Sequence, residues 1–255
     1  MLGLSAWDEF SDLPEKRDYG DWLHGILYEF HQQLQQADTL AKSGDAADAL
    51  QAADSECAPV AKIDPASLLA AISQRKFEQE LRKSAAALGY YVRWQKVMPA
   101  YLAWVEAHTQ AGWQYAAGER KLERPLHWPG GQIMLRGRID RIDRNEDGRT
   151  LVLDYKTSSQ AVLKQKMQGE DQQLAFYGLL AAQAGEAMLL GLEAANQKIG
   201  EVPAPDYANW VARLENHIAR SMQALQQGSG LPANGVDSAC QYCEMRGLCR
   251  KGAWQ

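Results

Sequence analysis

The sequence lacks a long hydrophobic run, a secretory leader and an excess of positive charge. No apolar stretch of the 255 residues approaches the roughly 20 that a membrane-spanning helix needs. The N-terminus, Met1 to Leu4, has neither the charged nor the apolar region of a signal peptide. The formal net charge of -5 gives no overall indication of a nucleic-acid partner. We therefore expect a globular, cytoplasmic protein that has no membrane partner.

The net charge conceals an uneven distribution. Residues 1–60 contain 12 acidic and 3 basic side chains, whereas residues 120–166 contain 11 basic and 6 acidic ones. A basic stripe of this kind suits a polyanionic substrate. A solvated charged face would produce the same composition, so charge alone leaves both interpretations open.

The hydrophobic pattern predicts several helices. At 28.4 kDa and 46% hydrophobic residues, the chain can bury a substantial core, as one large domain or two small ones. From Asp18, apolar residues recur at steps of three and four, as in an amphipathic helix. Residues 37–64 suggest a short acidic helix broken at Gly44, then a loop that contains Cys57. Further helical patterns cover residues 65–89, 96–116, 159–184 (as one helix or a broken pair) and 205–227.

Strand patterns lie between these helices. Residues 119–126 alternate toward a strand, Pro129 to Gly131 forms a turn, and residues 187–195 resemble a buried strand. We predict an α/β fold in which a central mixed β-sheet is flanked by helices. Its parts would be a mainly helical portion at 1–116, a core at 117–227 and a cysteine-rich tail at 228–255, most simply within one compact domain.

Two segments inside the basic stripe predict a β-hairpin that carries two acids and a lysine. Residues 137–143 and 151–157 alternate as half-buried strands, and the turn residues 145–148 separate them. If the loop is centred on Asp147, residues whose numbers sum to 294 face one another, which places Asp140 opposite Asp154 at a Cβ separation of about 5 Å. Lys156 shares the face of Asp154.

Such a group suits a hard divalent cation, because Mg²⁺ prefers oxygen ligands. The alternative is the polar face of an edge hairpin, whose solvent-screened ion pairs contribute little.

Other candidate residues are ambiguous on their own. His24 borders the apolar stripe of the first helix, where a histidine is more often packed than bound to metal. Gln173 and Tyr177 share a helix face and suit either substrate contact or packing. Glu119 and Glu123 are reserve carboxylates.

Three of the four cysteines, Cys240, Cys243 and Cys249, fall within ten residues. In a cytoplasmic protein this clustering favours metal binding over a disulfide. Zinc and iron–sulfur clusters usually need four ligands, and Cys57 is the one remaining cysteine. A disulfide or unliganded thiols remain the alternative.

Taken together in chain order, these motifs carry a family resemblance. They are Gly-x3-His ending at His24, Gly-x2-Asp-Arg-Ile-Asp at 137–143, Asp-Tyr-Lys-Thr at 154–157, Gln-x3-Tyr at 173–177, and Cys-x2-Cys-x5-Cys at 240–249. The sequence resembles the RecB-like branch of the PD-(D/E)XK nuclease superfamily, and more closely the C-terminal nuclease domain of AddB-type helicase–nuclease subunits. The resemblance implies a restriction-endonuclease-like core and a DNA exonuclease that acts on single-stranded DNA in double-strand-break repair.

The resemblance also implies roles for individual residues. His24, Asp140, Asp154 and the Tyr155 carbonyl would bind Mg²⁺ or Mn²⁺, and Lys156 would orient the attacking water or stabilise the developing charge. Gln173, Tyr177 and Arg138 would hold the substrate strand. Apart from the resemblance, we expect Asp143 to lie on the same face of the strand as Asp140, opposite neither Asp154 nor Lys156, and to support Asp140 without binding the metal. Cys240, Cys243 and Cys249 would ligate a [4Fe-4S] cluster.

One motif of the resemblance is missing. In the related domains, the cluster's first cysteine precedes the helix that carries the histidine, and this sequence has no cysteine there. We expect the chain to be a C-terminal fragment of a parent with helicase-like domains, its cluster absent or incomplete unless Cys57 substitutes. Its partners would be DNA and a helicase subunit of the AddA/RecB type. The alternatives are a catalytically silent DNA-binding or subunit-docking domain and, more distantly, a zinc-knuckle interaction module.

Overall fold

A computed structural model describes residues 13–48, 63–168, 172–195, 198–230, 235, 237–240, 243 and 249. The helices are α1 (Lys16–Asp48), α2 (Pro65–Lys83), α3 (Ala87–Gln110), α4 (Gln160–Met167), α5 (Gln173–Leu180), α6 (Tyr207–Gln226) and α7 (Asp237–Cys240). The strands are β1 (Gln114–Trp128), β2 (Gly131–Arg144), β3 (Thr150–Lys156), β4 (Ala184–Ala195) and β5 (Lys198–Pro203). The strands form one sheet in the order β1-β2-β3-β4-β5, in which β3 and β4 are parallel and the other neighbours antiparallel. The predicted α/β fold with a mixed sheet and flanking helices is confirmed.

The first helix is longer than predicted. The prediction of a separate acidic helix broken at Gly44 is wrong, because α1 continues through Gly44 to Asp48. A glycine inside a helix costs only about 1 kcal/mol relative to alanine. The remainder of the predicted segment, including Cys57, lies outside the described residues. The next helix, α2, begins with Asp64 as N-cap, whose side chain accepts hydrogen bonds from the backbone N–H groups of Ala66 and Ser67.

The boundary between α2 and α3 also differs from the prediction. The expected gap at residues 90–95 is helical, and the break lies at residues 84–86 instead. The reason is Trp94, which is fully buried and donates a hydrogen bond from Nε1 to Ser73 Oγ at 2.8 Å. Burial of such a large side chain stabilises the helix around it by more than local propensity opposes it.

The predicted hairpin register is confirmed. Strands β2 and β3 pair Arg141 with Leu153 and Arg144 with Thr150, and each pair sums to 294. The loop turns at Gly148, whose φ of +80° suits glycine. The predicted broken helix pair became α4 and α5, and the predicted strand at 187–195 lies within β4. Strand β5 was not predicted.

The sheet has a separate hydrophobic core on each face. One core joins α1, α2 and α3 to the β3 side chains Leu151, Leu153 and Tyr155. The other joins α5 and α6 to Val152 of β3 and Ile142 of β2. Because side chains alternate along a strand, Asp154 and Lys156 share the Val152 face. Among the helices described, none is long and apolar enough to cross a membrane.

Candidate metal centre

The centre is built around two buried carboxylates. Asp154 is fully buried and Asp140 is 7% exposed. Asp140 lies one step beyond the last paired residues of the β2–β3 ladder, and its Oδ2 accepts a hydrogen bond from the Tyr155 backbone N–H at 3.1 Å. Burial, and then the negative charge of Asp154, raise the pKa of Asp140 to about 8. Two acids this poorly solvated are stabilised as carboxylates by a bound cation.

Asp154, Lys156, Gln173 and Tyr177 form a closed ring of contacts. Lys156 Nζ lies 2.6 Å from Asp154 Oδ2 and donates a hydrogen bond to Gln173 Oε1 at 2.7 Å. Gln173 Nε2 donates to the Tyr177 hydroxyl at 2.8 Å, and that hydroxyl donates to Asp154 Oδ1 at 3.4 Å. The structure therefore brings Gln173 and Tyr177 against the two predicted catalytic residues of β3.

One oxygen of this ring is held by an ion pair alone. Asp154 Oδ2 is buried, and its partner among the described residues is the Lys156 ammonium at 2.6 Å. A carboxylate oxygen can accept from more than one partner, so Asp154 Oδ2 keeps a lone pair that could bind a cation.

His24 reaches the same place from helix α1. On this helix Tyr19, Leu23 and Leu27 are fully buried, whereas the His24 side chain is 20% exposed. Its Nε2 lies 3.2 Å from the Tyr155 carbonyl oxygen, and its Nδ1 lies 3.6 Å from Asp140 Oδ2. The predicted association of His24, Asp140 and the Tyr155 carbonyl is therefore present in the structure.

Glu119 also belongs to this cluster, although its sequence pattern gave it only a reserve role. It lies on β1 between two residues paired with β2, so that it faces Asp140, and its Oε1 lies 3.7 Å from His24 Nδ1. Its φ is +48°, an uncommon value for a residue with a side chain. The sequence around Glu119 contains no pattern that predicts this backbone conformation. The other reserve acid, Glu123, instead pairs with Arg136 at 3.0 Å.

Arg138 lies beside the cluster but has an acidic partner. Its Nε lies 2.9 Å from Glu119 Oε2, while 55% of its side chain stays exposed. An exposed ion pair of this kind is weak. The role of Arg138 in substrate binding stays a prediction.

The donor set fits a hard divalent cation. One donor atom each from His24, Glu119 and Asp140 lies within 4.8 Å of the others, as it would around one ion. Neighbouring ligands of an octahedral ion such as Mg²⁺ are about 3 Å apart and opposite ligands about 4 Å. The separations of 3.6 Å and 3.7 Å fall between these values. Carboxylate oxygens are the ligands that hard divalent cations prefer.

The prediction that Asp143 supports Asp140 from the same face is wrong. Asp143 comes three positions after Asp140, and an odd offset puts their side chains on opposite faces of the strand. Asp143 instead accepts hydrogen bonds from Arg141 Nε at 2.7 Å and from His108 Nε2 at 2.8 Å, all three side chains being buried. Arg141 Nη1 donates to the Tyr155 hydroxyl at 3.3 Å, so this network packs behind the centre.

The cysteine tail is only partly described. Cys240 is half-buried, Cys243 and Cys249 are exposed, and the Cys243 backbone N–H donates to the Cys240 carbonyl at 3.2 Å. Within the described ranges, the His24 cluster is the group of three potential ligands that lie close together, and it contains no cysteine. The iron–sulfur assignment stays a prediction.

The fold and the centre together define a class of protein: an α/β domain whose central hairpin presents two acids and a lysine to a divalent cation. The family model of the PD-(D/E)XK nuclease superfamily matches residues 2–250, and the chain belongs to this superfamily. Its members are generally metal-dependent nucleases, and membership implies DNA as the class of substrate.

Two further comparisons add little to this. None of the curated proteins matches the chain. One solved structure, described as the crystal structure of SSO0001, is 19% identical, covers 70% of this chain and 77% of its own, and has a TM-score of 0.35. That similarity is too distant to carry a functional argument.

Proposed function

We propose that the protein is a Mg²⁺- or Mn²⁺-dependent exonuclease that degrades single-stranded DNA, a RecB-like nuclease of the kind found at the C-terminus of AddB-type subunits. It would act in the cytoplasm with a helicase subunit of the AddA/RecB type during double-strand-break repair. The observation that carries the proposal is the buried pair Asp140 and Asp154, with the Lys156 ammonium 2.6 Å from Asp154 Oδ2 and His24 Nδ1 3.6 Å from Asp140 Oδ2.

Each residue of the centre has a chemical task in this proposal. His24, Asp140 and Asp154 hold the cation, together with the Tyr155 carbonyl that the motif assigns to it. When bound, the cation activates a water for attack and neutralises charge on the scissile phosphate. Lys156 donates hydrogen bonds to the attacking water or to the phosphate oxygens, where negative charge accumulates.

Gln173 and Tyr177 position Lys156 and Asp154 from helix α5. Gln173 accepts a hydrogen bond from the lysine ammonium, and Tyr177 donates one to Asp154. Their motif role as substrate contacts is thus compatible with a second role in aligning the two residues of β3.

The basic stripe offers a further contact for DNA, although much of it is used internally. Arg141 is buried with Asp143, and Arg136 and Arg138 pair with glutamates. Arg120 and Arg144 are exposed and have no acidic partner within 4.0 Å among the residues described. Both line a cavity of about 430 Å³ at the C-terminal end of α5. Unpaired arginines on the Asp154 face of the sheet suit the phosphates of a bound strand.

Cleavage of labelled DNA tests the proposal. End-labelled single-stranded DNA is incubated with Mg²⁺, Mn²⁺ or EDTA, with wild type, Asp154→Ala and, as a matched control, Glu123→Gln. We expect metal-dependent release of short products by wild type and the control, and none by Asp154→Ala. Equal cleavage by wild type and Asp154→Ala, or no cleavage with either metal, would contradict the nuclease assignment. DNA binding without cleavage would instead favour a silent DNA-binding domain.

The cysteine tail belongs to the same proposal. We assign Cys240, Cys243 and Cys249 to a [4Fe-4S] cluster that is incomplete unless Cys57, the remaining cysteine of the sequence, supplies the fourth ligand. Iron and sulfide analysis of anaerobically prepared wild type and Cys57→Ala tests this assignment. A stoichiometric cluster in Cys57→Ala would contradict it.

A further inference from the structure

Glu119 lies outside every motif of the superfamily resemblance, yet the fold directs it into the metal centre. The β1–β2 register continues unchanged from the pair Gly118/Arg141 to the pair Arg120/Ile139, and Glu119 stands between them in a left-handed conformation. Its two oxygens contact different partners. Oε2 is held by Arg138 at 2.9 Å, and Oε1 points toward His24.

The two nitrogens of His24 face different partners. Nε2 lies 3.2 Å from the Tyr155 carbonyl, which can only accept, so His24 donates to it in the tautomer that carries the hydrogen on Nε2. In a neutral imidazole, Nδ1 then carries the lone pair. Metal-binding histidines commonly donate their other N–H to a backbone carbonyl in this way.

The free lone pair of Nδ1 faces two carboxylates at distances too long for hydrogen bonds. Nδ1 lies 3.6 Å from Asp140 Oδ2 and 3.7 Å from Glu119 Oε1. Hydrogen bonds between such groups are about 2.7–3.2 Å long, whereas ligands of a common ion are held about 3–4 Å apart. The separations therefore match ligands of one cation better than hydrogen-bonded partners.

From this arrangement we propose that Glu119 is a direct metal ligand on the Nδ1 side of His24, and that Arg138 is the positioning residue that holds it there. The inference rests on the proposed function and changes its ligand set, because a cation on Nδ1 lies on the side of the ring away from the Tyr155 carbonyl. That carbonyl then orients the His24 ring, and Glu119 takes the place among the ligands that the motif gives to the carbonyl. Arg138 also limits the negative charge of the cluster when no metal is bound.

Mn²⁺ affinity, measured by the loss of the EPR signal of the free ion, tests this without relying on activity. The β1–β2 hairpin provides a matched control, since Glu123 and Arg136 form an equivalent pair four residues along β1. We expect Glu119→Gln to weaken Mn²⁺ binding about tenfold or more, although glutamine could still accept a hydrogen bond. Glu123→Gln should bind Mn²⁺ as wild type does.

Two further variants distinguish a direct ligand role of Glu119 from a long-range effect of its negative charge on the metal. Glu119→Asp keeps the charge but shortens the side chain, so a ligand role predicts a clear loss of affinity and a field effect predicts none. Arg138→Gln should weaken Mn²⁺ binding by a smaller factor than Glu119→Gln, and Arg136→Gln should not weaken it. Circular dichroism of the metal-free variants confirms folding.

The outcomes distinguish this inference from the proposed function. If wild type binds Mn²⁺ and Asp140→Asn does not, the metal centre is present. Wild-type affinity in Glu119→Gln or in Glu119→Asp would then overturn the ligand role of Glu119 alone. If wild type binds no Mn²⁺, the metal-dependent nuclease proposal fails together with it.

Discussion

Asp140 should be a residue whose replacement stabilises the metal-free protein. Its pKa is about 8, against an ordinary value of 3.8, because burial and Asp154 oppose its negative charge. The folded state therefore holds a proton that the unfolded chain releases. The stability contributed by this proton is complete below pH 4 and is lost as the pH rises through 8.

The size of the effect follows from the two pKa values. With about 1.4 kcal/mol per pH unit, the free energy of unfolding falls by about 1 kcal/mol between pH 4 and 5 and by about 4 kcal/mol by pH 7. Asparagine is neutral at all these pH values, and its side-chain oxygen can still accept from the Tyr155 N–H. Asp140→Asn should not lose this free energy of unfolding. Its stability relative to wild type should therefore increase with pH, by about 4 kcal/mol between pH 4 and pH 7.

The assay is urea unfolding in EDTA at pH 5, 7 and 8.5, followed at pH 7 with 10 mM Mg²⁺ in place of EDTA. Metal binds the folded wild type and should stabilise it but not Asp140→Asn. A stability difference that does not change with pH, or an Asp140→Asn protein that is less stable than wild type in EDTA, would refute the reasoning.

Three other variants, one of them a double substitution, test separate parts of the molecule. Lys156→Met should lower the single-turnover cleavage rate about 10²-fold or more while Mn²⁺ binds at least as tightly, because an ammonium beside Asp154 is removed. Arg120→Gln with Arg144→Gln should lower the slope of log affinity for single-stranded DNA against log salt by about 1.4. Asp143→Asn should cost about 3–5 kcal/mol of stability in urea unfolding, because it leaves the buried Arg141 without its anion.

Each of these has a result that contradicts it. Cleavage at the wild-type rate by Lys156→Met would contradict the role of this lysine in the reaction. For the arginine pair, the control is Arg136→Gln, because Arg136 already pairs with Glu123 and lies farther along the hairpin; an equal change of slope in that variant would remove the special role of the cavity. A loss below about 1 kcal/mol in Asp143→Asn would show that the guanidinium is better solvated than its burial indicates.

The sequence was most informative where local geometry alone decides contacts. The hairpin register depends on the length of one loop, so the facing of Asp140 and Asp154 could be predicted from residue numbers. The helix pair Gln173 and Tyr177 could be placed on one face for a similar reason. Which surface that face contacts depended on how α5 packs, and spacing alone could not decide between substrate contact and packing.

The missed features depend on the backbone or on distant packing. Glu119 enters the centre through a left-handed φ that glutamate rarely adopts, and a register irregularity between Tyr115 and Ala117 precedes it. Strand β5 is only six residues long. It is stabilised because Ile199 packs into the core on one face of the sheet and Val202 into the core on the other face. Neither the left-handed conformation of Glu119 nor the short strand β5 has a strong signal in the sequence.

Tyr155 connects the buried polar network to the metal centre. Its hydroxyl accepts a hydrogen bond from Arg141 in the core under α1 and α3, while its peptide N–H holds Asp140 and its carbonyl holds His24. Because side chains alternate along a strand, the residues before and after it, Asp154 and Lys156, must face the opposite side. Tyr155, between the proposed catalytic acid and lysine, therefore anchors a strand segment whose main chain contacts two of the proposed ligands, Asp140 and His24.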